Sequence, residues 1–269
     1  MPIAIQAALL GLIQGLTEFL PVSSSAHLIL ARMFFGFDAD KFGLAFDVAC
    51  HVGTLIAVLI YFRSEMLTMI AALPRLFKPG KDDAARLVWL LVVGTIPAII
   101  VGLLFNRIIE EELRTPVVAA TMLAAGGIGF FVADRVGSNS RSDRSLTLVE
   151  AFWIGCAQAA ALVPGVSRSG ITLTAALLLG LRRAEAARFI FLLSIPAILG
   201  AAVSEAPKML RAGATPGMAN LFVIGIVTSA IVGFAAVKFF IRYLADHQLD
   251  VFGWYRLALS AAVVVWLLR

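Results

Sequence analysis

The chain has 269 residues, 61% of them hydrophobic and only 14% charged, against about 45–50% and 25% in water-soluble domains. With a mean hydropathy of +0.95, that balance excludes a soluble globular fold, a disordered chain and a collagen-like one, and predicts a polytopic membrane protein. The net charge of +5 does not indicate nucleic acid, because the basic residues are scattered between apolar segments rather than gathered into a stripe. Cys50 and Cys156, the only cysteines, each lie in an apolar stretch and support neither a disulfide framework nor a metal quartet. The N-terminal stretch has no basic start or small-residue cleavage site and carries Gln14 and Glu18, so it reads as mature protein.

The first segment is apolar but interrupted: residues 1–17 are uncharged, Glu18 follows, and 13 uncharged residues lead to Arg32. Three windows of spanning length come next, Val48 to Phe62 (extended through Phe46 and Asp47), Leu87 to Asn106, and Thr115 to Ala133. A second interrupted segment repeats the arithmetic of the first, with 151–167 uncharged, then Arg168, then 13 uncharged residues to Arg182. Phe189 to Ser204, Ala212 to Val237 and Val251 to Leu268, the last carrying Arg256, complete six expected spans. Pro21 and Pro164 break the interrupted segments into helix, break, helix.

A shift of 144 residues superposes Gly11 on Gly155, Gln14 on Gln158, Val22 on Val166, Ser23 on Ser167 and Ser25 on Ser169. The sequence Ile96-Pro97-Ala98-Ile99 recurs as Ile195-Pro196-Ala197-Ile198 at a different shift. The expected fold is thus an all-α polytopic membrane protein. Six transmembrane helices and two re-entrant helical hairpins form an inverted-topology repeat, in one membrane domain with repeats near 1–135 and 150–269. Counting Lys and Arg by loop places 13 on one side and 7 on the other, with Arg168 and Arg256 inside apolar segments. The positive-inside rule makes the first side cytoplasmic and puts both termini outside, so the two hairpins enter from opposite faces and their breaks meet near mid-membrane.

Two half-helices starting after the breaks would aim unpaired N–H groups and partial positive charge at one point, which attracts an anion. Ser23, Ser24, Ser25, Ser167, Ser169 and Thr172 bring hydroxyls to that region, and Arg168 brings a forked cation suited to phosphate. Gln14 and Glu18 share a helix face one turn before the first break. A carboxylate there would repel an anion unless it binds a divalent cation or serves as a base, and this favours phosphoryl chemistry over plain anion binding. Arg168 can alternatively pair with Glu18, and Ser23 and Ser25 can serve as helix caps. His27 is placed to donate to phosphate or protonate a leaving group, or to bond a backbone carbonyl. Asp47, Cys50 and His51 allow a metal site or plain interface polarity, and Arg256 allows a phosphate contact or snorkelling to headgroups.

Gln14-Gly15-Leu16-Thr17-Glu18-Phe19-Leu20-Pro21-Val22-Ser23-Ser24-Ser25-Ala26-His27, together with Pro164-Gly165-Val166-Ser167-Arg168-Ser169-Gly170-Ile171-Thr172 and the Tyr255-Arg256 pair, resembles the undecaprenyl-pyrophosphate phosphatase family of the bacitracin-resistance type. The resemblance spans essentially the whole chain. It implies hydrolysis of undecaprenyl pyrophosphate to the monophosphate, which recycles the lipid carrier of cell-wall synthesis and confers bacitracin resistance. It further implies a bacterial inner-membrane location, a site open to the outer face, and a divalent cation, Mg2+ or Ca2+. The implied partners are the polyprenyl pyrophosphate and membrane lipids, with no nucleic acid and with a homodimer among the assemblies allowed.

Carried onto this chain, the resemblance makes Glu18, Ser24, His27, Ser167 and Arg168 catalytic. Gln14, Ser23, Ser25, Gly165, Ser169, Thr172 and Arg256 would bind substrate, and Glu18 the metal. Gln14 stands at a position that is Glu or Gln in the family; members with Glu have a second acid, whereas here phosphate oxygens or water must complete a metal shell on Glu18. Ala26 stands where relatives often have Gly. The nucleophile is water, Ser24 or Ser167. The rival readings are a lipid-phosphate flippase or anion transporter built on the inverted repeat, and a non-catalytic anion-binding protein, which leaves Glu18 idle.

Overall fold

The computed structural model describes residues 1–38, 41–77, 82–213 and 216–269. Lys78 and Lys81, two of the cations in the loop count, lie outside these residues. Eleven α-helices are described: α1 (Ile3–Phe19), α2 (Ser24–Phe35), α3 (Leu44–Tyr61), α4 (Arg63–Ala72), α5 (Asp83–Glu111), α6 (Pro116–Val136), α7 (Leu148–Ala160), α8 (Arg168–Leu178), α9 (Arg183–Gly213), α10 (Met218–Asp246) and α11 (Asp250–Leu267). Helices α3, α5, α6, α9, α10 and α11 are long and apolar enough to cross a membrane, matching the six expected windows in number and order. Their outward faces are apolar, with Leu103 and Leu104 of α5 more than 70% exposed, as a lipid-facing surface requires.

Two boundaries differ from the sequence expectation. The window Ala212 to Val237 is not one helix: α9 runs on to Gly213, and α10 starts at Met218 after Gly217, whose φ of +84° ends the preceding turn. The short α4 was not anticipated, because its mixed sequence RSEMLTMIAA has almost no one-sided apolar face to read.

Both interrupted segments are broken helices. The first stops at Phe19, Leu20 turns to extended backbone, and α2 begins at Ser24 behind an N-cap Ser23. The second stops at Ala160, and α8 begins at Arg168 behind an N-cap Ser167. Helix α1 packs mainly on α10, α7 on α5, α6 on α11, and α3 lies between α10 and α9. Gly11 and Gly155, which superpose in the sequence, each serve one of these seams. A Cβ on Gly11 would lie 2.9 Å from the Gly225 carbonyl of α10, and one on Gly155 would overlap the Gly94 carbonyl of α5. Small residues let helix backbones approach this closely where lipid gives no hydrophobic drive.

Candidate functional site: an acid, a guanidinium and two helix breaks

The two breaks touch. Ser169 Oγ, in the first turn of α8, donates to the carbonyls of Glu18 (3.3 Å) and Leu20 (3.1 Å), and the Gly165 amide donates to Ser25 Oγ at 3.5 Å. Each break uses the same local device. Ser23 and Ser167 have φ of 73° and 72°, an uncommon left-handed conformation for a residue other than glycine, costing on the order of 1–3 kcal/mol. Their hydroxyls recover part of that cost as N-caps, accepting from the amides of Ala26 and Gly170. Ser23 Oγ also lies 3.2 Å from Ser25 Oγ, and Ser167 Oγ 3.3 Å from Ser169 Oγ.

Glu18, in the last turn of α1, is buried at the junction. Its Oε2 accepts from Ser24 Oγ at 2.6 Å and from Gln14 Nε2 at 2.9 Å, and Arg168 Nη1 stands 3.8 Å from its Oε1. The buried Arg168 Nη1 and Gln14 Oε1 have no hydrogen-bond partner. Buried donors and acceptors are normally satisfied, since an unmet one costs about 1–3 kcal/mol. A free guanidinium N–H beside a carboxylate suits an anion, and a free amide oxygen beside it suits a hard cation. A divalent ion here would find the Glu18 carboxylate and the Gln14 amide oxygen rather than a set of several acids, because the described residues contain no cluster of three or more His, Cys, Asp or Glu. That set fits a cation completed by water and phosphate oxygens.

His51 of α3 was not expected at the site. Its Nδ1–H donates to the Asp47 carbonyl at 2.7 Å, which turns Nε2 to within 3.4 Å of Glu18 Oε2. Asp47, one turn earlier, holds no metal site with Cys50. Its carboxylate takes a bidentate fork from Arg32 (2.6 and 3.0 Å) and a further bond from Arg114 (2.9 Å). The i,i+4 spacing of Asp47 and His51 was the readable signal; that α1 would present Glu18 to that face was not.

Other expected ligands make hydrogen bonds within the protein. Thr172 Oγ1 bonds back to the Arg168 carbonyl at 2.6 Å, and Ser23, Ser25, Ser167 and Ser169 hold the junction as described. His27 Nδ1–H donates to the Ser23 carbonyl at 2.8 Å, so Nε2 accepts from the Tyr255 hydroxyl at 2.7 Å, and the two rings stack. Arg256 is held by backbone carbonyls of the two breaks and of α6. Its side chain is fully buried, and its guanidinium donates to the carbonyls of Leu123, Pro21, Met122, Gly165 and Val166, with the Phe130 ring 5.3 Å away. It thereby ties both breaks to α6, satisfying carbonyls that a broken helix leaves without amides.

These features define a polytopic helical membrane protein whose two broken helices join an acid to a guanidinium below its surface. The chain belongs to the bacitracin resistance protein BacA family, whose model matches residues 7–262. It is 48% identical to the undecaprenyl-diphosphatase of Rubrobacter xylanophilus, over 98% of both chains. It is 45% identical to that of Trichlorobacter lovleyi and 46% identical to that of Desulforudis audaxviator, each over 97% of this chain and 96% of the relative.

Proposed function

We propose that this protein is an undecaprenyl-diphosphatase, hydrolysing undecaprenyl pyrophosphate to undecaprenyl phosphate and inorganic phosphate. Family membership and the named relatives carry the substrate. The geometry that carries the chemistry is the Glu18–Ser24 hydrogen bond of 2.6 Å beside the partnerless Arg168 Nη1. A flippase or anion transporter has no need of a carboxylate poised on a hydroxyl. Arg168 orients the diphosphate through its forked donors. Ser24 Oγ attacks the terminal phosphorus while Glu18 takes its proton, the bridging P–O bond breaks, and the lipid monophosphate leaves. Glu18 releases that proton to a departing phosphate oxygen. In the second half a water attacks the phosphoserine, Glu18 takes the water's proton, and Ser24 Oγ is reprotonated as inorganic phosphate departs. Ser167, spent on capping α8, takes no part in this transfer, and His27, with both ring nitrogens engaged, is given no proton step.

Glu18 and the Gln14 amide oxygen would hold a Mg2+ or Ca2+ ion, which when bound would offset the negative charge of the phosphates. Helices α1–α2 and α7–α8 are read as re-entrant hairpins entering from opposite faces, within repeats near 1–135 and 150–269. The duplicated Ser23 and Ser167 caps and the paired seams α1 on α10 and α7 on α5 support this. The protein is placed in the bacterial inner membrane, with the site open to the outer face where the loop charge count is lower. The deciding experiment is phosphate release from undecaprenyl pyrophosphate by the purified protein in detergent. An enzyme turns over without a sealed bilayer, whereas a transporter shows activity only across one.

A further inference from the structure

Beyond its bonds from Ser24 and Gln14, Glu18 Oε2 faces His51 Nε2 at 3.4 Å. The imidazole is fixed in that pose from behind. Its Nδ1–H donates to the Asp47 carbonyl at 2.7 Å, and the Asp47 carboxylate is itself clamped by Arg32 and Arg114. With the proton on Nδ1, Nε2 presents a lone pair, so a nitrogen acceptor and a carboxylate oxygen confront each other. A proton shared between them would draw the pair to about 2.7–2.9 Å, shorter than the separation found. Ligand atoms about 2.1 Å from one metal ion and about 90–110° apart lie roughly 3.0–3.4 Å from each other, which does match. Backbone support of one ring nitrogen is also the arrangement that readies the other to bind a metal. A third group at this point is the Gln14 amide oxygen, buried and without a hydrogen-bond partner. Of the chain's three histidines, His51 alone aims a lone pair at an acid: His27 engages both ring nitrogens, and His247 is exposed and stacked on Tyr243.

We propose that His51 Nε2 is a ligand of the divalent cation, together with Glu18 and Gln14, and that it gives the site a preference for a transition ion of the Mn2+ kind over Mg2+ and Ca2+. The proposal rests on the phosphatase reading, which places an ion here. The imidazole sets the preference, because Mg2+ and Ca2+ take oxygen donors, whereas nitrogen is accepted with rising affinity from Mn2+ along the divalent transition series. Helix α3 thereby becomes part of the site, supplying the imidazole to the acid and amide of α1. With a single carboxylate among its protein ligands, the ion keeps a net positive charge toward the diphosphate. Three protein ligands also leave positions on the ion for water or phosphate oxygens.

The test uses the full-length protein in detergent, without an affinity tag, so that His27, His51 and His247 are its only histidines. Mn2+ alone is the probe. Loss of the free-ion EPR signal gives its affinity, competition with Mg2+ gives the selectivity, and spin-echo modulation reads nitrogen bound to the ion. Bound Mn2+ should show an imidazole nitrogen, with a pattern that changes when the chain carries 15N-histidine, and should bind at least about tenfold tighter than Mg2+. His51→Ala and His51→Gln should both lose the nitrogen coupling, and His51→Ala should weaken Mn2+ binding by at least about tenfold while affecting Mg2+ far less. His247→Gln should keep the coupling. Because isotope labelling reads the unmodified protein directly, the outcome does not depend on how well the His51 variants fold. Bound Mn2+ without histidine nitrogen, coupling that survives in both His51 variants, or no Mn2+ binding at all overturns the proposal. Phosphate release from undecaprenyl pyrophosphate is assayed alongside: release without coupling sinks this proposal alone, whereas coupling without release removes the phosphatase reading and leaves His51 as a ligand.

Discussion

Arg256 offers the most direct test of how the two breaks are held together. It is the only donor recorded among the described residues for the carbonyls of Pro21, Gly165 and Val166, and it also bonds those of Met122 and Leu123 within α6. Replacing it by Met keeps the bulk and strands three buried carbonyls. At about 1–3 kcal/mol each, Arg256→Met should destabilise the fold by roughly 3 kcal/mol or more, which thermal unfolding in detergent would register as a clear fall in midpoint. Arg256→Lys keeps the charge, but three ammonium hydrogens cannot satisfy five acceptors spread over three segments. That variant should fold and bind substrate with KM little changed, yet lose about tenfold to a hundredfold in kcat, because displacements on the order of 1 Å at a reacting centre carry penalties of that size.

A double-mutant cycle with Arg168→Lys separates positioning from direct contact. If Arg256 acts by placing Glu18 and Arg168, its loss should cost little once Arg168 is already compromised. Strict additivity of the two losses, or an Arg256→Met protein as stable and active as its parent, would refute the reasoning.

Arg168→Lys alone keeps the charge but loses the planar fork, and phosphate-release assays should show at least about a tenfold fall in turnover at unchanged thermal stability. Ser24→Ala should lose about 10²–10⁴-fold, the range for a positioned general-base step, while Ser167→Ala, which removes a cap, should chiefly lower thermal stability by about 1 kcal/mol. Rapid quench with substrate labelled in its terminal phosphate should trap label on protein, and its absence would point to direct attack by water. Chelator should abolish turnover and added Mg2+ or Ca2+ restore it; activity untouched by chelation removes the cation from the scheme. Gly11→Leu forces side-chain atoms into the Gly225 backbone across the α1–α10 seam and should destabilise by about 1–3 kcal/mol in thermal unfolding.

Much of the architecture was legible because lipid imposes a simple rule, that an uncharged run of about 20 residues spans. The breaks were legible for a related reason: Pro21 and Pro164 withdraw amides where a spanning helix tolerates little loss. The Glu18, Ser24 and Arg168 neighbourhood followed from one charge and a serine cluster in each break. What stayed hidden depends on partners supplied by other helices. His51 reaches Glu18 because α3 packs beside α1, and Asp47 collects Arg32 and Arg114 from two further segments. Arg256 binds backbone carbonyls, which leave no trace in side-chain composition. The start of α10 was misplaced because the run from Ala212 is free of charge, and a search for uncharged windows does not register the Pro216-Gly217 turn that precedes Met218.

Glu18 and Arg168 lie on opposite sides of the single connection from Gly137 to Thr147, so cutting the polypeptide there would yield one fragment with the acid and another with the guanidinium. Neither piece should work alone. Because α1 leans on α10 and α7 on α5, each fragment offers the seam the other lacks, and co-expressed halves should find one another and regain turnover without a covalent link. Such complementation would show that the two seams alone suffice to bring the acid and the guanidinium together.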